Sequence, residues 1–177
     1  HDAAGTDIRT RGARMDDFIG ALSACFGPDP VEYHGPFFDI PPAYVRPKPR
    51  QKPRPRLISG MWSPAGRERT ASHFDGWNPA GLSVSTVASM AAEMNAHRSP
   101  DQGPLEIFYR TFVQRPLGRA PEDGDHLAAM VIEAEAARSA GFSEIILEHN
   151  FWQGITDPEA WLVVPERYQP VVDTATR

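Results

Sequence analysis

Between Asp7 and Phe26, apolar Met15, Phe18, Ile19, Leu22 and Cys25 recur at helical spacing, and Gly27-Pro28 ends the run. The pattern predicts an amphipathic helix over 7–26, with Asp7 available to cap its start. Residues 28–56 break the periodicity. Proline, glycine and aromatic residues dominate there, as in Tyr33-His34-Gly35-Pro36-Phe37-Phe38. The stretch reads as an extended excursion whose aromatic side chains need a surface to pack on.

From Leu57 onward the pattern alternates. A strand over 57–60 is followed by a helix over 64–72 and a second strand region over 73–78. A helix over 85–97 carries Val87, Met90, Ala91 and Met94 on one face. The third strand, 105–113, sends Leu105, Ile107, Tyr109, Thr111 and Val113 one way and Glu106, Phe108, Arg110 and Phe112 the other. A helix over 125–140 turns Leu127, Met130, Val131 and Ala134 inward and stops at Gly141. Residues 143–148 form the fourth strand, and Thr156-Asp157-Pro158-Glu159 is a capping-box pattern that opens a last helix. Strands alternating with helices predict parallel βα units, hence an α/β fold. A complete (βα)8 barrel takes about 250 residues. The 177 residues here, with four βα units, therefore predict a single domain holding about half a barrel.

Composition adds limits. Hydrophobic residues make up 41% of the chain, enough for a core. Apolar runs such as Ile145-Ile146-Leu147 fall far short of the roughly 20 residues of a membrane helix. The start, His1-Asp2-Ala3-Ala4-Gly5, shows no secretory pattern. The expectation is a soluble, cytoplasmic protein with no membrane partner. The single cysteine, Cys25, excludes an intrachain disulfide and reads as a small buried hydrophobe. Net charge is −5, yet Arg46 to Arg56 holds six positive charges and no acid, which leaves −11 for the rest. An acidic body argues against nucleic acid as the main partner.

The most informative chemistry lies in Leu57-Ile58-Ser59-Gly60-Met61-Trp62-Ser63-Pro64. A strand meets a glycine and a short loop, then Ser63 suits the N-cap and Pro64 the first helical position. Main-chain N–H groups and the positive helix end then lie beyond the strand's carboxyl end, an arrangement that attracts phosphate. Many βα units begin this way without a ligand. Arg110, near the carboxyl end of the third strand, suits an anion of cofactor or substrate, or equally a salt bridge to Glu106. Glu148 and His149 stand where an acid–base pair works, although a histidine at a core edge explains His149 as well. No histidine or cysteine shows metal-ligand spacing, so no metal is expected.

The ordered set of these motifs resembles the luciferase-like monooxygenase family. The similar features are Arg11-Gly12-Ala13-Arg14-Met15-Asp16, Tyr33-His34-Gly35-Pro36-Phe37-Phe38, the proline-rich basic approach over 46–55, Leu57-Ile58-Ser59-Gly60 and Ser63-Pro64-Ala65. Phe74-Asp75-Gly76-Trp77, Ala140-Gly141-Phe142 and Asp157-Pro158-Glu159 follow in order. The resemblance implies a (βα)8 TIM-type barrel, with this chain covering about its last four βα units and the N-terminal half absent. It implies a flavin- or deazaflavin-dependent oxidoreductase, with FMN or coenzyme F420 held near Gly60, Met61, Trp62 and Ser63. Trp77 then either walls the cofactor pocket or packs the barrel. Met61 stands where the family has a second glycine. The basic run takes the place of the family's approach loop with solvated charges, in preference to a polyproline segment or a polyanion patch. A small-molecule substrate and a homodimer, or a complementary half-barrel, complete the expectation. The alternative is a non-catalytic half-barrel fragment that acts as an assembly or flavin-binding module.

Overall fold

The computed structural model describes residues 3, 5–111, 123–147, 159, 162 and 164–176. The chain divides into two compact units, His1–Arg56 and Leu57–Arg177, and the boundary falls where the basic proline-rich run ends.

In the first unit, Asp7 caps a short 3-10 turn over Ile8–Thr10, accepting from the Arg9 N–H at 2.9 Å. Helix α1, Arg11–Phe26, follows. The excursion that the sequence left without regular structure contains a hairpin. Strand β1, Val31–His34, pairs antiparallel with β2, Asp39–Ala43, with a register irregularity between Val31 and Tyr33. Its aromatics find their surface: the Phe18 and Phe38 rings lie 5.7 Å apart, and the Arg14 guanidinium sits over Phe37 and Phe38. Beneath them, buried Asp17 accepts from the Tyr33 hydroxyl at 2.6 Å and from the Phe37 and Phe38 N–H groups at 2.8 Å each. A helix and a hairpin turn are thus tied together through one carboxylate.

The second unit is a four-stranded parallel sheet in the order β3-β4-β5-β6, formed by Ile58–Ser59, Gly76–Trp77, Glu106–Arg110 and Glu144–Ile146. Helices α2 (Pro64–His73), α3 (Val84–Ala96) and α4 (Asp123–Ser139) connect the successive strands. Chain-order strands in parallel register with helical crossovers are the (βα) architecture that the alternation predicts. α5 (Val164–Arg167) and α6 (Gln169–Thr176) close the described chain. Gly141, with φ at +74°, turns the chain out of α4 as expected.

The core lies between sheet and helices. Ile107 and Tyr109 of β5 and Trp77 of β4 pack with Ala71, Val87, Ala91, Met94 and Ala137 from the helices. The alternation therefore holds for Leu105, Ile107 and Tyr109, and Glu106, Phe108 and Arg110 take the opposite face of the sheet; Phe112 and Val113 lie outside the described residues. A second cluster, Met130, Ala134, Tyr168 and Val171, seats α6 on α4. No helix among the described residues is long and apolar enough to cross a membrane.

Candidate functional site: the turn after the first parallel strand

Ser63 caps α2 as the sequence indicates. Its backbone is extended, its Oγ accepts from the Gly66 N–H at 3.2 Å, and Pro64 occupies the first turn. The capped helix follows directly on β3, so its N-terminus stands at the carboxyl edge of the parallel sheet. That is the edge where α/β folds place ligands. Gly60, Trp62, Ser63, Pro64 and Ala65 are all exposed. Among the described residues, the main-chain N–H groups of Trp62, Ser63 and Ala65 take no hydrogen-bond partner. Free amides grouped within one turn of a helix start, with the positive end of the helix behind them, fit a phosphate group.

Met61 is the pin of this turn. Its N–H donates to the Ser59 Oγ at 3.1 Å, and its carbonyl accepts from the Trp77 indole N–H at 2.8 Å. The Thr70 hydroxyl, fully buried on α2, stands 2.8 Å from both the Ser59 Oγ and the Gly66 carbonyl. A Cβ on Gly66 would lie 2.7 Å from the Met61 Cβ, so α2 requires glycine there for the methionine to pack. The larger residue at the family's second glycine position is thus accommodated from below. Its own main chain is spent on the fold, and its neighbours' amides remain open. A Cβ on Gly60 would meet only the Asn78 carbonyl at 3.5 Å, an ordinary contact.

One expected site residue takes a packing role. Trp77 is wholly buried and belongs to the helix-side core. It offers no face to a ligand and supports the turn through the Met61 carbonyl; the reading of Trp77 as a pocket wall is corrected accordingly. Trp62, by contrast, is 56% exposed and free to lie against a planar ring. Arg110 is half-buried at the carboxyl end of β5, opposite Ile146 of β6 and on the face away from the helix-side core. Glu148, His149 and the Asp157-Pro158 start of the tail motif lie outside the described residues. Asp75 is a structural residue: its carboxylate accepts from the Leu57 N–H at 2.7 Å and its carbonyl from the Glu106 N–H at 3.0 Å, which stitches three strands.

Sequence reasoning missed the Ser59–Thr70 contact and the Tyr109–Glu133 pair. The signal for the first was present as hydroxyl residues flanking Gly66, on a strand end and on the next helix. In the second, the Tyr109 Oη lies 2.9 Å from the Glu133 Oε1 and 3.2 Å from the Leu82 carbonyl. Burial raises both groups, and the Glu133 carboxylate adds to the effect on Tyr109.

A parallel βα sheet with a capped helix start at its carboxyl edge defines an α/β architecture of the barrel type. Comparison with known proteins agrees. Residues 1–116 match the luciferase-like monooxygenase family, and the chain belongs to that family. Over 131 residues it is 26% identical to an FMNH2-dependent dimethylsulfone monooxygenase of Pseudomonas putida, covering 73% of this chain and 35% of that protein. An uncharacterized protein of Mycobacterium tuberculosis is 35% identical over 77 residues, 44% of this chain and 26% of that protein. The chain thus spans between about a quarter and a third of the curated relatives it matches. Among solved structures, long-chain alkane monooxygenase LadA superposes with a TM-score of 0.50 at 15% identity, over 77% of this chain and 38% of its own. That likeness identifies the fold as TIM-barrel type, of which this chain forms a part.

Proposed function

We propose that the chain is part of a flavin-dependent monooxygenase, and that the turn from Gly60 to Pro64 holds the phosphate of FMN. The observation that carries this reading is the exposed turn whose Trp62, Ser63 and Ala65 amides are left open while both main-chain groups of Met61 are committed. The FMNH2 dependence of the Pseudomonas putida relative supports the choice of flavin. In this reading the three amides grip the phosphate, Trp62 lies against the ring, and Arg110 meets an anionic group of the substrate or cofactor. Bound reduced flavin would supply the two electrons with which one oxygen atom of O2 enters a small-molecule substrate and the other leaves as water. The protein's part is to orient the ring and exclude water. Among the described residues the parallel sheet ends at β3 and β6; in this reading further barrel strands, from the same polypeptide or a second copy, cover those edges, because open edges of a parallel sheet invite association.

The test compares FMN with riboflavin, which lacks the phosphate, by fluorescence titration, with coenzyme F420 measured alongside. FMN is expected to bind at least tenfold more tightly than riboflavin. The variant S63D retains a good N-cap and sets a carboxylate beside the open amides. It is expected to abolish the preference for FMN without lowering the melting temperature. Equal affinity for FMN and riboflavin in the unaltered protein would remove the basis of the assignment.

A further inference from the structure

Trp77 shares the task of fixing the Gly60–Pro64 turn with a second side chain. Arg67, near the start of α2, takes the next carbonyl along: its Nη1 donates to the Trp62 carbonyl at 3.2 Å. The guanidinium is lodged against α3, with Nη1 3.9 Å from the Met90 sulfur and Nη2 3.9 Å from a Glu93 carboxylate oxygen. The side chain is 25% exposed, so packing and not solvent sets where the guanidinium lies. Two consecutive carbonyls, Met61 and Trp62, are therefore each held by a donor from elsewhere in the fold, an indole and a guanidinium.

Both peptide bonds concerned are trans. In a planar trans peptide the C=O and the N–H that follows it point to opposite sides. A donor on the Met61 carbonyl thus turns the Trp62 N–H away from Trp77. A donor on the Trp62 carbonyl turns the Ser63 N–H away from Arg67. These are two of the three turn amides that take no partner among the described residues. An exposed loop carbonyl left to water lets its peptide plane rotate. A held carbonyl fixes the plane, and the amide is then ordered before a ligand arrives. We propose that Arg67 is a positioning residue: by holding the Trp62 carbonyl it aims the Ser63 N–H at the phosphate, as Trp77 aims the Trp62 N–H. This role rests on the reading of the turn as a phosphate site. It sets the guanidinium across the peptide plane from the anion, so Arg67 acts through the main chain and not by touching the phosphate.

Arg67→Met removes the donor and keeps an unbranched side chain to pack on α3, whereas Arg67→Lys keeps a donor. N–H residual dipolar couplings of the ligand-free, 15N-labelled full chain report the direction of each amide. In R67M the Ser63 coupling should change while that of Gly66 stays, and R67K should restore it. By fluorescence titration, FMN affinity should fall at least tenfold in R67M with riboflavin affinity unaltered, and recover in R67K. The difference between R67M and the unaltered protein should persist in about 1 M salt, where charges are screened beyond about 3 Å. Arg67→Ala, a strong helix former, serves if R67M fails to fold. An unchanged Ser63 coupling, equal loss of FMN and riboflavin, no recovery in R67K, or a difference that vanishes in salt would each overturn the role of Arg67. Equal affinity of the unaltered protein for FMN and riboflavin, with a Ser63 coupling that does change, would instead strike the phosphate reading and the proposal with it.

Discussion

The indole N–H of Trp77 donates to the carbonyl of Met61 at 2.8 Å, so a core side chain on the second parallel strand sets the turn that leaves the first. The bond is made from a fully buried ring, and truncation at this position therefore strands a carbonyl. Trp77→Phe retains most of the apolar surface and removes the donor. Loss of a buried hydrogen bond together with a small cavity costs about 2–3 kcal/mol. Denaturant unfolding should show that loss, and FMN affinity should fall with it because the turn is no longer pinned.

Asp17 and Gly35 form a second linked pair. A Cβ on Gly35 would overlap the Asp17 carboxylate, which is committed to Tyr33, Phe37 and Phe38. Burial opposes the charged form of Asp17, but the Tyr33 hydroxyl, the two amides and Arg14 outweigh it and hold the carboxyl below its ordinary range. Gly35→Ala and Asp17→Asn should both unfold the hairpin preferentially, seen as early amide exchange at Phe37 and Phe38. A variant whose hairpin amides exchange as slowly as in the unaltered protein contradicts this account.

Asp29 makes the first unit sensitive to acid. Chiefly Lys48, against burial and with Arg46 and the Val45 N–H assisting, holds its carboxyl at about 2 when folded against an ordinary 3.8. A depressed folded value contributes stability that is complete above 3.8 and is lost as pH falls toward 2. Acid titration followed at Val45 and Lys48 by NMR should show release of the loop in that window. Asp29→Asn should flatten the dependence.

Tyr109 and Glu133 give the opposite sign. Burial raises the Glu133 carboxyl, and its Oε2 is buried with no hydrogen-bond partner among the described residues. A proton on Glu133 lets it donate to the Tyr109 oxygen while Tyr109 donates to the Leu82 carbonyl, so both acceptors are served. An acid with a raised folded value favours the folded state below its ordinary value and loses that contribution as pH climbs through the raised one. Glu133→Gln keeps a donor and an acceptor without the charge. It should stabilise the protein at neutral pH by about 1 kcal/mol or less, given partial solvent screening. The gain should vanish at pH 4, as measured by melting temperature.

The strand–helix alternation and the Ser63-Pro64 cap were legible because both are local: periodicity and capping act within a few residues. The hairpin was not, because Pro41-Pro42 argues against a strand. β2 tolerates them since only β1 pairs with it in a two-stranded sheet. The orientation of Trp77 escaped for another reason. A strand of two residues has no alternation to read, and only packing against Val87 and Ile107 reveals the side it takes. Asp17 and Glu133 read as ordinary helix polar positions, because their partners stand 16 to 24 residues away along the chain. Pairings over that distance leave no mark on local pattern.

The central claim, that open amides at the Gly60–Pro64 turn hold a flavin phosphate, is tested most directly by amide chemical shifts. FMN and riboflavin should be added separately to the 15N-labelled protein. The account predicts that the Trp62, Ser63 and Ala65 amides move downfield on saturation with FMN and stay in place with riboflavin. Unmoved turn amides in an FMN-bound protein would contradict it.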